Sequence, residues 1–289
     1  MAKCNIIGEW AVVTGASSGI GLEFTRQLAA MGANVLMISN QAEALAQYSA
    51  EIAKAASKRG QISLLNLPSG SRLGEAKESG VETAILCIDL ALPEAINEVM
   101  AAIGKLPKVP MLFVNNAGIF DFRAVSGLSE RRINLYIDLH MRCVTLLTRA
   151  VGELMAQAGK GYILNMSSMS CWMPMPGIAM YSATKAYIRT FSRAYRVEML
   201  HTGVSVTVAC PGGIATDLFG LPENLKRLAL NVRGITTPQK FVRSALKQTL
   251  KGKAQYINGF INRLAIVFVA NSPEWARRLI KTKLLDRLT

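Results

Sequence analysis

Tyr181 and Lys185 stand four residues apart, with Ser168 thirteen residues before the tyrosine. On a helix, side chains four apart share one face at about 6 Å, so a phenol and an ammonium would stand side by side. A neighbouring ammonium favours the phenolate, which is expected to draw the tyrosine down from its usual pKa of about 10 and make Tyr181 a general acid or base. Ser168 follows the apolar run Tyr162-Ile163-Leu164-Asn165-Met166. A serine at such a strand tip can hydrogen-bond a substrate oxygen. The same spacing also arises where a helical tyrosine merely packs over a lysine stem, so it must be judged by what surrounds it.

The elements that would position these groups can be read along the chain. Trp10-Ala11-Val12-Val13 is a buried-strand pattern, and it runs through Thr14-Gly15-Ala16-Ser17-Ser18-Gly19-Ile20-Gly21 into a helical stretch. Gly15 permits a tight turn, Gly19 lets backbone approach a pyrophosphate, and Gly21 lets helix and strand pack closely. With Ser17, Ser18 and Ile20 these form a phosphate cradle whose N–H groups point from a helix N-terminus. Residues 34–39 are a second strand, completing a right-handed β-α-β unit. Its tip, Ser39-Asn40-Gln41, falls where an adenosine ribose would lie. An acid there would repel a 2′-phosphate and an arginine would bind one. This chain has neither, and the missing acid leans the reading towards NADPH/NADP over NADH/NAD.

Residues 84–90 read as a third strand with Asp89 and Leu90 at its tip, Asp89 either meeting an adenine or capping the helix that begins near Pro93. The fourth, 111–114, ends in Asn115-Asn116-Ala117-Gly118, where small residues and side-chain amides suit a tight turn against a cofactor. A helix over 131–158 follows, apolar at Ile133, Ile137, Leu146, Leu147 and Val151 and carrying His140. After the Ser168 strand and the Tyr181 helix, a sixth strand at 204–210 ends in Pro211-Gly212-Gly213-Ile214-Ala215-Thr216, which could close over a nicotinamide. The polar segment 60–80 reads as an insertion at the edge of the nucleotide half. Six strands alternating with helices predict a doubly wound parallel α/β sheet of Rossmann type, with ligands at the strand C-terminal ends. Every candidate group falls at such an end.

Composition narrows the chemistry further. With 289 residues and 51% hydrophobic content, the chain can bury a large core. Five cysteines without a Cys-x-x-Cys pair, and two histidines, argue against a disulfide frame or a metal site and for a reducing compartment. The N-terminal stretch lacks the apolar core of a signal peptide, so a cytoplasmic location is expected. The longest apolar run, 264–270, is far short of the roughly 20 residues a membrane span needs. A net charge of +14 is compatible with simple solubility, an anionic cofactor or an anionic membrane surface. Dispersed basic residues without a recognition motif speak against nucleic acid.

Taken together, these residues resemble the short-chain dehydrogenase/reductases from about residue 10 to 216. The resemblance implies a cofactor turn at 14–21, an adenine contact at Asp89, the NNAG turn at 115–118, and catalytic roles for Ser168, Tyr181 and Lys185. It also implies a nicotinamide-side loop that includes Pro211, Gly212 and Thr216, and a homodimer or homotetramer built from the helices bearing Arg131 and Tyr181. One departure stands out: counting back eight from Thr148, His140 occupies the position where many members place an asparagine of the proton relay. An imidazole can donate and accept, so the relay could survive with altered pH tuning.

Residues 1–217 are expected to form the catalytic domain, and 218–289 a substrate lid and C-terminal extension similar to that of lipid-directed members. The apolar lid stretch 218–234 and the loop Cys171-Trp172-Met173-Pro174-Met175-Pro176 suggest a lipophilic carbonyl or alcohol: a 3-keto lipid such as a ketosphinganine or long-chain ketoacyl compound, then a steroid-like ketone, then a small xenobiotic carbonyl. The alternative is a dinucleotide-binding sensor or scaffold of weak activity. From Trp275 onward, Trp275, Leu279, Leu284 and Leu288, joined by Ile280 and Leu285, can form one stripe among basic residues. That stripe either packs on the protein or anchors it peripherally to an anionic membrane.

Overall fold

The computed structural model describes residues 6–57, 64–66, 80–214, 236–283 and 285. Thr216, the 218–234 stretch, Leu284, Leu288 and most of the 60–80 segment lie outside the described residues.

Eight strands are described: β1 (Trp10–Thr14), β2 (Asn34–Ser39), β3 (Leu64–Asn66), β4 (Thr83–Cys87), β5 (Leu112–Asn115), β6 (Gly161–Met166), β7 (Val204–Ala209) and β8 (Gln255–Tyr256). They form one sheet in the order β3-β4-β2-β1-β5-β6-β7-β8, every pair parallel. The strands β1, β2, β5 and β7 are buried almost throughout, as expected for a sheet covered on both faces. Alternation along β1 divides the core: Trp10 and Val12 face one layer, Ala11 and Val13 the other. Helices α1 (Gly19–Ala30) and α2 (Ala42–Ser57) follow β1 and β2, and α3 (Ala95–Gly104) follows β4. The predicted doubly wound architecture is therefore present.

Two strands exceed the six expected. β3 lies inside the segment read as an edge insertion, and β8 has only two residues. Neither is long enough to show a period of two in sequence. Since β8 pairs with β7, and α7 (Pro238–Leu250) packs against both α1 and β7, the wound layers run on to Tyr256. The helical extension proper is α8 (Phe260–Ala270) and α9 (Glu274–Lys283). No described helix is long and apolar enough to cross a membrane.

The helix expected over 131–158 is interrupted. α4 (Glu130–Ile137) and α5 (Val144–Gln157) are joined end to end by a π turn, Asp138–Cys143, that contains His140. A π turn adds one residue to the helical circuit and changes which side chains face inward. Ile137 and Leu146, assigned to the core face by a 3.6 period, are exposed, while Tyr136, Leu139, His140 and Cys143 are buried.

Candidate active site

The strand order reverses between β1 and β5, and the crevice outside that switch point is where a doubly wound sheet binds its ligand. Here the turns after β1 and β5 interlock. Asn116 donates its side-chain amide to the Thr14 carbonyl at 3.0 Å, and Thr14 Oγ1 accepts the backbone N–H groups of Asn116 and Ala117 at 2.9 and 3.0 Å. Gly21 is required by this packing, since a Cβ there would lie 2.0 Å from the Gly15 carbonyl oxygen. No side chain caps the N-terminus of α1, so its first N–H groups face the crevice.

Three consecutive residues leaving β6 each address the helix α6 (Ala179–Glu198). The Met166 carbonyl accepts Lys185 Nζ at 3.0 Å, Ser167 donates its hydroxyl to the Lys185 carbonyl at 2.7 Å, and Ser168 lines the same cavity as Tyr181. Serine, tyrosine and lysine are brought together as the spacing predicted, with Lys185 Nζ 5.6 Å from the centre of the Tyr181 ring. Both side chains are buried, and Phe120 packs edge-on against the tyrosine with ring centres 5.0 Å apart.

The pKa of Tyr181 runs opposite to the expectation. Burial pushes the phenol up to about 12, outweighing the lowering effect of the Ser168 hydroxyl. Burial also drives Lys185 down to about 8, and its ammonium is turned onto the Met166 carbonyl rather than the phenol oxygen. Spacing on a helix reports adjacency; it carries no information on desolvation, and desolvation dominates here.

His140 is held from both ring nitrogens. It is fully buried, its Nε2 accepts the Ile119 N–H at 3.0 Å, and its Nδ1 meets Thr184 Oγ1 at 2.9 Å. A backbone N–H can only donate, so Nε2 carries no proton and Nδ1–H donates to Thr184, whose hydroxyl in turn donates to the Tyr181 carbonyl. Burial first, then Lys185 and Arg132, hold the imidazole well below its usual range. His140 is thus a neutral tie between the π turn, the loop after β5 and α6, with both ring nitrogens committed. Gly118 lets that loop pass close, because a Cβ there would meet His140 Nε2 at 2.9 Å and Lys185 Nζ at 3.5 Å.

A cavity of about 340 Å³ collects most of the predicted residues: Gly15, Ser18, Gly19, Ile20, Asn116, Ala117, Gly118, Ser168, Tyr181, Lys185, Pro211, Gly212 and Ile214 all line it. Others stand apart from its lining. Ser17 and Ser39 share a hydrogen bond of 2.8 Å at the β2 tip, Ser17 also reaches Gln41 at 2.9 Å, and Asn40 is exposed beside them. Asp89 Oδ1 accepts the Ala91 N–H at 3.0 Å, a local turn that leads towards α3, while Leu90 is buried in the core.

The chain belongs to the short-chain dehydrogenase family. Residues 9–67 and 66–223 match the family model described as short chain dehydrogenase. This short-chain dehydrogenase is 30% identical over 275 residues to the very-long-chain 3-oxoacyl-CoA reductase of Homo sapiens, covering 93% of this chain and 77% of that protein. It is 28% identical over 270 residues to a human protein named inactive hydroxysteroid dehydrogenase-like protein 1, covering 93% and 73%. A short-chain dehydrogenase from Sphingobium yanoikuyae, solved in complex with NADPH, shares the fold with a TM-score of 0.72 at 21% identity over 96% of each chain.

Sequence reading of this dehydrogenase missed two groups. Asn258 is buried, accepts the Gly212 N–H at 2.7 Å and donates to Thr236 at 3.2 Å, holding the loop after β7. The Asn258-Gly259 dipeptide is a turn signal that could have drawn notice. Behind the strand tips, Asn115 donates to both Thr148 and Asn165 at 3.0 and 2.8 Å, and Asn165 donates to Ser192 at 2.9 Å. These four come from β5, α5, β6 and α6, and no sequence spacing links them.

Proposed function

We propose that this oxidoreductase uses NADPH to reduce the carbonyl of a lipophilic substrate, with a long-chain 3-keto lipid first and a steroid-like ketone second. The observation that carries the reading is the Tyr181 phenol, with Ser168 and Lys185 beside it in the same cavity as the uncapped α1 N-terminus. The glycine turn and orphan N–H groups fit the pyrophosphate of a dinucleotide. A bound NADPH supplies hydride to the carbonyl carbon. Ser168 holds the carbonyl oxygen, Tyr181 gives that oxygen its proton, and Lys185 stabilises the phenolate left behind. Burial keeps the Tyr181 phenol protonated at neutral pH, so it has a proton to give. The coenzyme preference rests on Ser39 and Asn40, where no acid opposes a 2′-phosphate. The lipid class rests on the reductase-named relative.

Tyr181→Phe removes the proton donor and keeps the ring, so turnover of a 3-keto lipid panel should fall by at least the ~10²-fold typical of a lost general acid while NADPH still binds. Comparable turnover in the variant rejects the mechanism. A second reading, a dinucleotide-binding protein of weak turnover, is favoured by the closed hydrogen bonding of His140, which leaves no ring nitrogen for a relay water.

Two partners belong to the proposal. Exposed Leu146 on α5 and Val197 on α6 support a homodimer or homotetramer through those helices. An anionic membrane surface is supported by α8 and α9, where Phe260, Ile261, Leu264, Val267, Phe268, Trp275 and Leu279 are exposed, seven of the fifteen large apolar side chains in that condition among the described residues. The same helices carry Arg263, Arg277, Arg278, Lys281 and Lys283 against Glu274 alone. A two-fold contact through this face would oppose those charges, whereas anionic headgroups complement them. Of the stripe that could either pack on the protein or face a membrane, Trp275 and Leu279 are exposed, whereas Leu285 turns inward against Gly177.

A further inference from the structure

Among the described residues, five buried side-chain polar atoms have no hydrogen-bond partner: Tyr136 Oη, Ser170 Oγ, Ser182 Oγ, Ser272 Oγ and Arg277 Nε. Buried polar groups are nearly always paired, and an orphan in a native protein calls for a reason. Three of these five belong to Ser170, Ser182 and Arg277, residues that line a single groove of about 720 Å³. Ser170 and Ser182 are each more than nine-tenths buried.

The groove runs between α6, the loop after Ser168 and α9, and shares no lining residue with the cavity that holds Tyr181 and Lys185. Its floor is the small-residue face of α6 at Ala179, Ala183 and Ala186, and one wall is Trp172, Met173 and Met175. The opposite wall is α9, which presents Arg277, Arg278 and Lys281, with Glu274 engaged by Arg278 at 2.7 Å. Apolar walls and a flat alanine floor suit an alkyl chain, whereas the Arg277 guanidinium and two hydroxyl donors suit an anionic oxygen. The methionines let the wall adapt to chains of different shape.

We propose that this groove is a second ligand site, for an amphipathic organic anion whose carboxylate or phosphate sits on Arg277, Ser170 and Ser182 while its chain lies along α6. The site backs directly onto the catalytic one. Ser182 follows Tyr181 on the helix, and the Ser170 backbone N–H donates to Ser168 Oγ at 3.1 Å. It does not depend on the reaction at Tyr181, and its test needs no turnover.

Octyl phosphate and octanoate are the probes, with 1-octanol as the uncharged control, titrated into the full chain with tryptophan fluorescence and thermal melting as readouts. Saturable binding of at least one anion, distinguishing phosphate from carboxylate, is expected, and the alcohol should bind at least tenfold more weakly. Arg277→Gln should weaken the anion at least tenfold and leave NADPH binding unchanged. Ser182→Ala supplies an independent check. Deleting an unpartnered hydroxyl should leave the melting temperature without probe equal or higher, while the shift produced by the probe shrinks. The proposal is overturned if neither anion saturates or if Arg277→Gln binds as the parent does. It is equally overturned if Ser182→Ala melts lower without probe, or if Arg277→Gln dissociates an oligomer that binds no probe, since a second copy would then cover the groove.

Discussion

Replacing His140 with asparagine tests the buried tie at the π turn through its pH dependence. The imidazole is neutral in the folded chain because burial, Lys185 and Arg132 all hold its pKa well below 6.5, whereas in the unfolded chain it titrates near that value. The unfolded chain therefore binds the extra proton, and stability contributed by neutral His140 is present above pH 6.5 and lost as pH falls below it. At pH 5.5 the protonated form of the unfolded residue outweighs the neutral one about tenfold, which lowers stability by about 1.4 kcal/mol relative to pH 7.5. At pH 7.5 His140→Asn should itself cost about 2–4 kcal/mol, because the Ile119 N–H and Thr184 lose a fitted partner and the ring leaves a void. Urea denaturation of parent and variant at both pH values measures the gap. Other titrating groups are common to the two proteins and cancel, so the gap should narrow by about 1.4 kcal/mol from pH 7.5 to 5.5. A gap that stays constant, or widens, refutes the assignment of a neutral, doubly bonded imidazole.

Two further outcomes are expected. Ser39→Asp places a carboxylate at the β2 tip beside Ser17 and should shift coenzyme preference towards NADH, read from the ratio of kcat/KM values; a parent that already prefers NADH tenfold would reject the NADPH reading. The double variant Phe260→Ser with Phe268→Ser removes two exposed rings, so it should melt as the parent does yet lose at least tenfold in salt-sensitive sedimentation with phosphatidylserine vesicles, and no binding by the parent at low salt would eliminate the membrane contact.

The parts of this molecule that sequence exposed most clearly are those where one residue type has one job. Gly21 has no room for a Cβ, Tyr181 and Lys185 lie one helical turn apart, and β1 and β2 are unbroken apolar runs ending in turn residues. Features that depend on tertiary surroundings were less legible. The π turn shifted the inward face of a helix whose apolar pattern, read at 3.6 residues, put Ile137 and Leu146 inside. Desolvation reversed the direction of the Tyr181 pKa inferred from its neighbour alone. Asp89, read as an adenine contact or a helix cap, instead accepts the Ala91 N–H in a local turn, and no side chain caps α3. The amide and hydroxyl chain through Asn115, Thr148, Asn165 and Ser192 joins residues far apart in sequence, and only the fold could reveal it.

That chain of amides has a consequence for how the enzyme fails. Asn115, Thr148, Asn165 and Ser192 lie at the centre of the sheet, closed to water and bonded to one another across two strands and two helices. Ser168 stands three residues beyond Asn165, and Lys185 two turns before Ser192, so the proposed reacting groups are carried by a buried, mutually bonded centre. Heat cannot loosen such a centre without dissolving the sheet around it. Thermal inactivation and global melting should then follow one curve, and the exchange of backbone amide hydrogens at the β5 and β6 tips should be among the slowest in the chain.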